Sequence, residues 1–227
     1  LQEAFRKPLD KKRLRLNKHV HAFLADFRWL ANDLARRKTR LHELQPEDSP
    51  SLLGATDAAR RGMGGVLFAN RGDLVIPLMW RAPFPTHIQD RLVSFSNLKG
   101  DITNSGLELA GSVAQLVILA QHVGARKRTV QLLHDNTAAV YWQRKGSTTT
   151  TGPAAYLLRL QALHQRFYRY VPVHDYIPGP ANGMADDCSR LWELSDSQLV
   201  SYFNVNYPQP TSWRLCHLRT PFLSAPV

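Results

Sequence analysis

Four acidic residues, far apart along the chain, lie where carboxylates from different elements of one sheet can meet. Asp57 and Asp135 each follow a short apolar run of the kind that forms a buried strand. Glu108 lies near the start of a long apolar helix, and Asp186 near the start of a later helix. Because the sites of open α/β sheets lie beyond the strand ends, we expect these four side chains to converge there.

A cluster of four carboxylates needs protons or cations to be stable. Two such groups about 4 Å apart repel each other by roughly 4 kcal/mol at an effective dielectric constant of 20. Raised pKa values or bound divalent metal relieve this repulsion. Because every ligand is an oxygen, the expected metal is Mg²⁺, with Mn²⁺ able to substitute, rather than zinc. Two such ions promote in-line displacement at a phosphodiester, so the predicted chemistry is that of a nuclease.

Each acid, taken singly, also has a structural explanation. Asp57 can cap the end of a strand, and acids in the first turn of a helix, such as Glu108 and Asp186, are favoured by the helix dipole. The four acids in this order, on four separate elements, are harder to explain in this way. We therefore favour a shared site.

Positive charge is concentrated in two segments of the chain. The net charge is +11, and residues 1–40 contribute +8 while residues 126–170 contribute +7. Clustered cations are typical of proteins that bind nucleic acid, although a solvated basic face kept for solubility has the same composition. Asp135 is the only acid within residues 126–170. A lone carboxylate in a basic segment favours a chemical role.

The composition excludes several classes of protein. Apolar residues make up 44% of the 227 residues and charged residues 21%, which excludes a disordered chain. No apolar run approaches the roughly 18 residues that a membrane span needs. Two cysteines, Cys188 and Cys216, cannot build a disulfide framework, so we expect a reducing compartment, cytoplasmic or nuclear. Because the sequence begins at Leu1, we expect it to be a piece of a longer protein.

The hydrophobic pattern predicts an α/β protein with the element order β-β-β-α-β-α-α-β-α and helices on both faces of a mixed five-stranded sheet. An amphipathic helix over 18–38 precedes the sheet, and the capping box Ser195…Gln198 predicts a last short helix. We divide the chain into a basic helical segment at 1–49, an α/β domain at 50–192, and a C-terminal helix with a proline-rich tail at 193–227. The predicted strands cover 52–57, 63–68, 74–80, 129–135 and 171–177, and the predicted helices 107–121, 136–142, 154–169 and 185–192.

Four sequence motifs surround the acids. They are TDAARRGMGGV at 56–66, LELAG at 107–111, HDNTAAV at 134–140 and IPGPANGMADDCSRL at 177–191. Together they resemble the ribonuclease H domain of reverse-transcriptase retroelements, of the Ty3/gypsy or DIRS-like kind, over about residues 50–192. The segment TRLHEL at 39–44 resembles the connection that follows the polymerase in such polyproteins. No polymerase sequence of the YxDD type is present.

This resemblance implies a ribonuclease H-like fold and hydrolysis of the RNA strand of RNA–DNA hybrids during reverse transcription. It implies two Mg²⁺ ions as cofactors, and as partners the hybrid and a reverse transcriptase domain in the same polyprotein. The family's Asp-Glu-Asp-Asp active site maps onto Asp57, Glu108, Asp135 and Asp186 as catalytic residues and metal ligands. Asp57 would bridge both ions, Glu108 and Asp135 would complete one site, and Asp186 the other.

Further residues are expected to assist. Substrate contacts are expected from Gly62, Gly64, Asn136, Thr137, Arg166 and Arg169. Two residues are auxiliary candidates: Asp187, beside the fourth acid, and His174. Many cellular ribonucleases H have a mobile histidine upstream of the last aspartate, but we expect His174 to be a strand-end residue instead.

Two other functions remain open from the sequence alone. The first is a binding module of the same fold that holds nucleic acid without cutting it. The second is an integrase-like or transposase-like strand transferase, which uses three acids. The fourth acid, Asp186, argues against the second alternative, as does the lack of a zinc-binding His/Cys segment.

Overall fold

In the part of the chain that the structure describes, residues 18–41 belong to one compact unit and residues 42–219 to another. In the first unit the structure describes helix α1 (Lys18–Arg36), close to the predicted 18–38. The basic residues before Lys18 and the last prolines of the tail lie outside the described residues. In the part of the chain that is described, no helix has the length and apolar character to cross a membrane. The computed structural model describes residues 18–43, 45–72, 74–149 and 152–219.

The second unit is built on a mixed sheet with the strand order β5-β4-β1-β2-β3-β6. Its first three strands form an antiparallel meander, and β4 and β5 run parallel to β1. The five predicted strands are present, and the predicted α/β class is confirmed. The strands are β1 (Leu52–Ala59), β2 (Gly62–Arg71), β3 (Leu74–Pro83), β4 (Thr129–His134), β5 (Val171–Tyr176) and β6 (Arg214–Cys216).

The prediction of five strands was wrong by one, because β6 pairs in parallel with the edge strand β3. This strand has only three residues, which is too short for an alternating pattern to be recognised. Its position is fixed by packing rather than by local propensity. Trp213, directly before it, is buried and packs against Phe68 and Phe203 with ring centroids 5.5 and 5.1 Å away.

The helices occur in the predicted order, and the predicted capping box is present. Thr103 caps α3 by accepting a hydrogen bond from the Gly106 amide, Asn136 caps α4 at Ala139, and Ser195 forms the predicted capping box with Gln198. A four-residue helix, α2, was not predicted. The helices are α2 (Thr86–Gln89), α3 (Asn104–His122), α4 (Thr137–Lys145), α5 (Pro153–Tyr168), α6 (Gly183–Arg190) and α7 (Asp196–Asn206).

Apolar residues fill both faces of the central strand β2. Leu67 belongs to the cluster beneath α3, while Val66, next to it, belongs to the cluster beneath α6 and α7. Because successive side chains of a strand point to opposite faces, one strand anchors both layers. Helix α3 is itself buried around most of its circumference, and this deep burial carries Glu108 into the interior.

Candidate active site

The strand register brings the first and third acids together. Strands β1 and β4 are parallel neighbours in which Thr56 pairs with His134. The next residues along the two strands are Asp57, which still belongs to β1, and Asp135, which directly follows β4, so both lie at the same end of the sheet. Glu108 lies in the second turn of α3, which packs on β1. One carboxylate oxygen from each of Asp57, Glu108 and Asp135 lies within 4.8 Å of the others. We call these three residues the carboxylate cluster.

Burial and mutual repulsion raise the pKa values throughout the carboxylate cluster. Burial is the main cause of the raised pKa of Glu108, to about 9, and the charges of Asp57 and Asp135 add to it. Burial likewise raises the pKa of Asp57 and that of Asp135. Without a bound cation, Glu108 therefore carries a proton at neutral pH.

The fourth acid, Asp186, lies beside the cluster but is not one of the three most closely grouped carboxylates. It occupies the first turn of α6, and its charge raises the pKa of both Asp57 and Asp135. Its Oδ1 accepts a hydrogen bond from Nε of Arg190, 2.5 Å away and one helical turn later. Three of the four acids expected at one site are thus neighbours, and Asp186 is linked to them through Arg190, which contacts both Asp186 and Asp57.

Two residues of helix α6 contact the cluster, although no role was predicted for either of them. Ser189 is fully buried, and its hydroxyl donates to Oδ2 of Asp57. Arg190 places Nη2 3.9 Å from the same carboxylate oxygen. The signal in the sequence was the i, i+4 spacing of Asp186 and Arg190, which brings the two side chains together on one face of a helix.

A divalent cation fits this donor set. Oε2 of Glu108 is buried and has no hydrogen-bond partner among the described residues. An unsatisfied buried carboxylate oxygen is costly unless it is protonated or bound to a cation. The remaining donors are carboxylate oxygens too, which suits Mg²⁺ or Mn²⁺ rather than zinc. Asp57, Glu108 and Asp135 are the residues that would hold the ion, with Asp186 at their side.

A layer of neutral, hydrogen-bonded side chains supports the cluster from inside the protein. His134 Nδ1 lies 2.8 Å from the Thr56 hydroxyl, and His134 Nε2 lies 3.4 Å from Nδ1 of His174. The amide of Gln161 donates a hydrogen bond to Nε2 of His174, so the proton of His174 lies on Nδ1. His174 can then donate to Nε2 of His134, which requires that His134 also carries its proton on Nδ1. Burial lowers the pKa of His134 to about 4 and also lowers that of His174. This layer fixes the ends of β1 and β4.

The two auxiliary candidates have structural roles. His174 is buried inside the neutral layer and belongs to β5, so the possible role as a mobile surface group was wrong. Asp187 points away from the cluster, where its Oδ2 accepts hydrogen bonds from the hydroxyls of Tyr202 and Tyr207, at 3.0 and 2.7 Å. Asp187 therefore holds α7 against α6 and is not an alternative to Asp186.

The glycines expected near substrate pack against helix α6 and the residues that follow it. A Cβ on Gly64 would lie 2.5 Å from Cβ of Cys188, and one on Gly62 would overlap the Trp192 ring. These contacts explain why β2 needs glycine at both positions. Asn136 caps α4 through its side chain, and Thr137 is the exposed first residue of that helix. A substrate contact from any of the four stays a prediction.

The two arginines expected to bind the phosphates of the substrate are instead largely buried. Arg166 and Arg169 both pair with Glu43, Arg166 Nη1 lying 3.2 Å from Oε2. Arg169 is only 7% exposed, and the three side chains share a largely buried contact. A buried guanidinium that already neutralises a carboxylate is not available to a phosphate. Their pairing with Glu43 argues against phosphate binding by these two residues, and their expected role stays a prediction.

Three further cations of the basic segment 126–170, which are Arg126, Lys127 and Arg128, are also remote from the cluster. They precede β4, whereas Asp135 follows that strand. A strand of this length separates its two ends by about 20 Å, so these cations cannot contact the phosphate group that the carboxylates would face. Arg60 and Arg61, in the turn after β1, are exposed cations at the same end of the sheet as the carboxylate cluster.

The salt dependence of hybrid binding distinguishes an arginine that only pairs with Glu43 from an arginine that contacts a phosphate. We expect Arg166→Gln to leave the slope of log affinity against log salt unchanged. The variant should instead lose about 1 to 2 kcal/mol of unfolding free energy, because Glu43 loses one of its partners. Hybrid titrations at several salt concentrations and urea denaturation measure the two effects. A slope reduced by about one would show that Arg166 binds phosphate after all.

No protein-family model and no curated protein matches the chain. Solved structures similar to it include ribonuclease H proteins. RNase H1 from the archaeon Halobacterium salinarum NRC-1 is 19% identical, with 60% of this chain and 92% of that chain covered and a TM-score of 0.40. LC11-RNase H1 in complex with an RNA/DNA hybrid is 17% identical, with coverage of 60% and 92% and a TM-score of 0.42.

A third similar structure is the foamy viral protease-reverse transcriptase in complex with an RNA/DNA hybrid. It is 14% identical, 84% of this chain and 28% of that chain are covered, and the TM-score is 0.35. These likenesses are distant, so we base the functional proposal on the residues of this chain.

Proposed function

We propose that this chain is a metal-dependent ribonuclease H, which cleaves the RNA strand of RNA–DNA hybrids during reverse transcription of a retroelement. The observation that carries the proposal is the carboxylate cluster, in which three acids from three elements lie within 4.8 Å of one another. The repulsion within such a group of buried acids destabilises the metal-free protein, and perturbed acids of this kind are typical of functional sites. The motif resemblance described above supplies the reaction class and the retroelement context.

Each residue at the site has a definite task in this proposal. Asp57, Glu108 and Asp135 hold divalent metal, and Asp186 completes the coordination on the side of α6. Bound Mg²⁺ would supply an activated water and stabilise the leaving oxygen of an in-line phosphodiester displacement. Ser189 fixes the orientation of the Asp57 carboxylate by donating a hydrogen bond to its Oδ2.

The substrate class follows from the surroundings of the cluster and the chemistry of hybrids. Exposed Arg60 and Arg61, in the turn after β1, provide positive charge at the same end of the sheet as the carboxylates, where it can attract phosphates. The RNA strand would be selected by contacts to its 2′-hydroxyl groups across the wide minor groove, which gives little sequence preference. A reverse transcriptase domain of the same polyprotein is the proposed partner.

The test is cleavage of a labelled hybrid by the purified chain. We expect Mg²⁺ or Mn²⁺ to support cutting of the RNA strand, with 5′-phosphate and 3′-hydroxyl products, and EDTA to stop it. Duplex DNA and duplex RNA of the same sequence are the controls and should remain intact. Binding of the hybrid without cleavage in either metal would favour a binding module, and joining of DNA ends would favour a strand transferase.

A further inference from the structure

The position of Arg190 relative to the acids carries a further inference about how the site is charged. Arg190 ends helix α6, one turn beyond Asp186, and its side chain is 56% exposed. The guanidinium lies between two acids from different elements, hydrogen-bonded to Asp186 and 3.9 Å from Oδ2 of Asp57. It therefore occupies the space between the fourth acid and the carboxylate cluster.

The positive charge of Arg190 acts on the whole cluster. It lowers the pKa of Asp57, of Glu108 and of Asp135, in opposition to burial and to the repulsion among the acids. In this structure Arg190 thus compensates part of the negative charge that a divalent cation would otherwise neutralise. The compensation is incomplete, because a single guanidinium faces both Asp186 and Asp57 as well as the rest of the cluster.

A guanidinium and a divalent cation cannot both use these oxygens at close range, since both are positively charged. Arginine cannot relieve the conflict by losing its proton, because a guanidinium stays protonated in proteins. It can relieve the conflict by moving, because more than half of its side chain already faces solvent. The Asp57 and Asp186 oxygens would then be released to the ion.

We propose that Arg190 is an internal counter-ion of the carboxylate cluster and that a divalent cation binds by displacing its guanidinium from Asp57 and Asp186. The proposal rests on the proposed function, since it requires the cluster to hold metal. Arg190 then sets the metal affinity of the cluster, because its guanidinium stabilises the metal-free protein and competes with the incoming ion.

The test is direct measurement of Mn²⁺ binding to the full chain, by calorimetry and by the loss of the free-ion electron paramagnetic resonance signal. Arg190→Gln removes the positive charge and leaves a shorter, neutral side chain that can still donate a hydrogen bond, so we expect about tenfold tighter binding. Arg190→Lys, which keeps the charge, should stay close to the wild type. Arg144→Gln is the matched control, because Arg144 is equally exposed and pairs with Asp175 instead.

Thermal melting gives a second readout that does not depend on activity. Without metal, Arg190→Gln should melt below the wild type, because the acids lose their counter-ion, and Mn²⁺ should raise its melting temperature by more than it raises that of the wild type. Unchanged or weaker Mn²⁺ binding by Arg190→Gln, with the wild type binding normally, would overturn the counter-ion role and leave the proposed function intact. Failure of the wild type to bind Mn²⁺ would overturn both.

Discussion

Asp57→Asn and Asp135→Asn are each expected to reduce hybrid cleavage by about 10³-fold or more while hybrid affinity stays near that of the wild type. Each substitution removes one negative charge from the carboxylate cluster and keeps the size of the side chain. Metal-dependent stabilisation of the transition state is lost, whereas contacts between cations and phosphates remain. Single-turnover cleavage in Mg²⁺ and hybrid titration in EDTA measure the two quantities separately.

Asp187→Asn is the matched control for these variants. Asp187 neighbours Asp186 in the chain, but its carboxylate accepts hydrogen bonds from two tyrosine hydroxyls that an asparagine amide oxygen can also accept. We expect this variant to cleave at close to the wild-type rate. Normal cleavage by Asp57→Asn, or loss of cleavage in Asp187→Asn with the fold intact, would contradict the assignment of the acids.

Glu108 is expected to make the stability of the metal-free protein depend on pH. Its pKa is raised from 4.5 to about 9 in the folded protein. Between these values the folded chain binds more protons than the unfolded chain, so the free energy of unfolding falls as pH rises. The contribution of Glu108 is fully present below pH 4.5 and is lost as pH rises through about 9. The slope approaches a limit of about 1.4 kcal/mol per pH unit.

Glu108→Gln isolates this contribution because it replaces the acid by a neutral group of the same shape. Urea denaturation in EDTA should show wild type and variant close together at pH 5, and the wild type progressively less stable than the variant up to pH 8. The buried histidines titrate in both proteins, so their effects cancel in the difference. Addition of Mg²⁺ should stabilise the wild type most at high pH. A difference between the two proteins that does not change with pH would contradict a buried, protonated Glu108.

The proximity of Asp57 and Asp135 could be predicted from the sequence because it depends on local signals and one topological rule. Each residue follows an apolar run, and parallel neighbouring strands end at the same edge of a sheet. The capping residue Thr103 and the apolar length of α3 likewise place Glu108 near the start of its helix. These features need no knowledge of side-chain contacts between distant segments.

The features that the sequence did not reveal depend on such contacts. From the sequence, Arg166 and Arg169 are expected to be surface cations. Both pair instead with Glu43, which lies more than a hundred positions earlier in the chain. His174 stands in a strand whose pattern is ordinary, yet its ring is held by Gln161 and His134 in the interior. Ser189 and Arg190 lie in the quoted motif, but only the three-dimensional arrangement shows that they touch Asp57.

The pairing of β6 with β3 limits how far the chain can be shortened at its C-terminal side without causing aggregation. An expression boundary chosen at residue 192, where the motifs end, would remove β6 and Trp213 together with α7. Strand β3 would then expose an unpaired backbone edge, and Phe68 and Met79 would lose the apolar residues that cover them. Exposed strand edges beside apolar surface recruit other chains. Truncation there should therefore yield aggregated protein, and shortened versions should retain residues through at least Leu218.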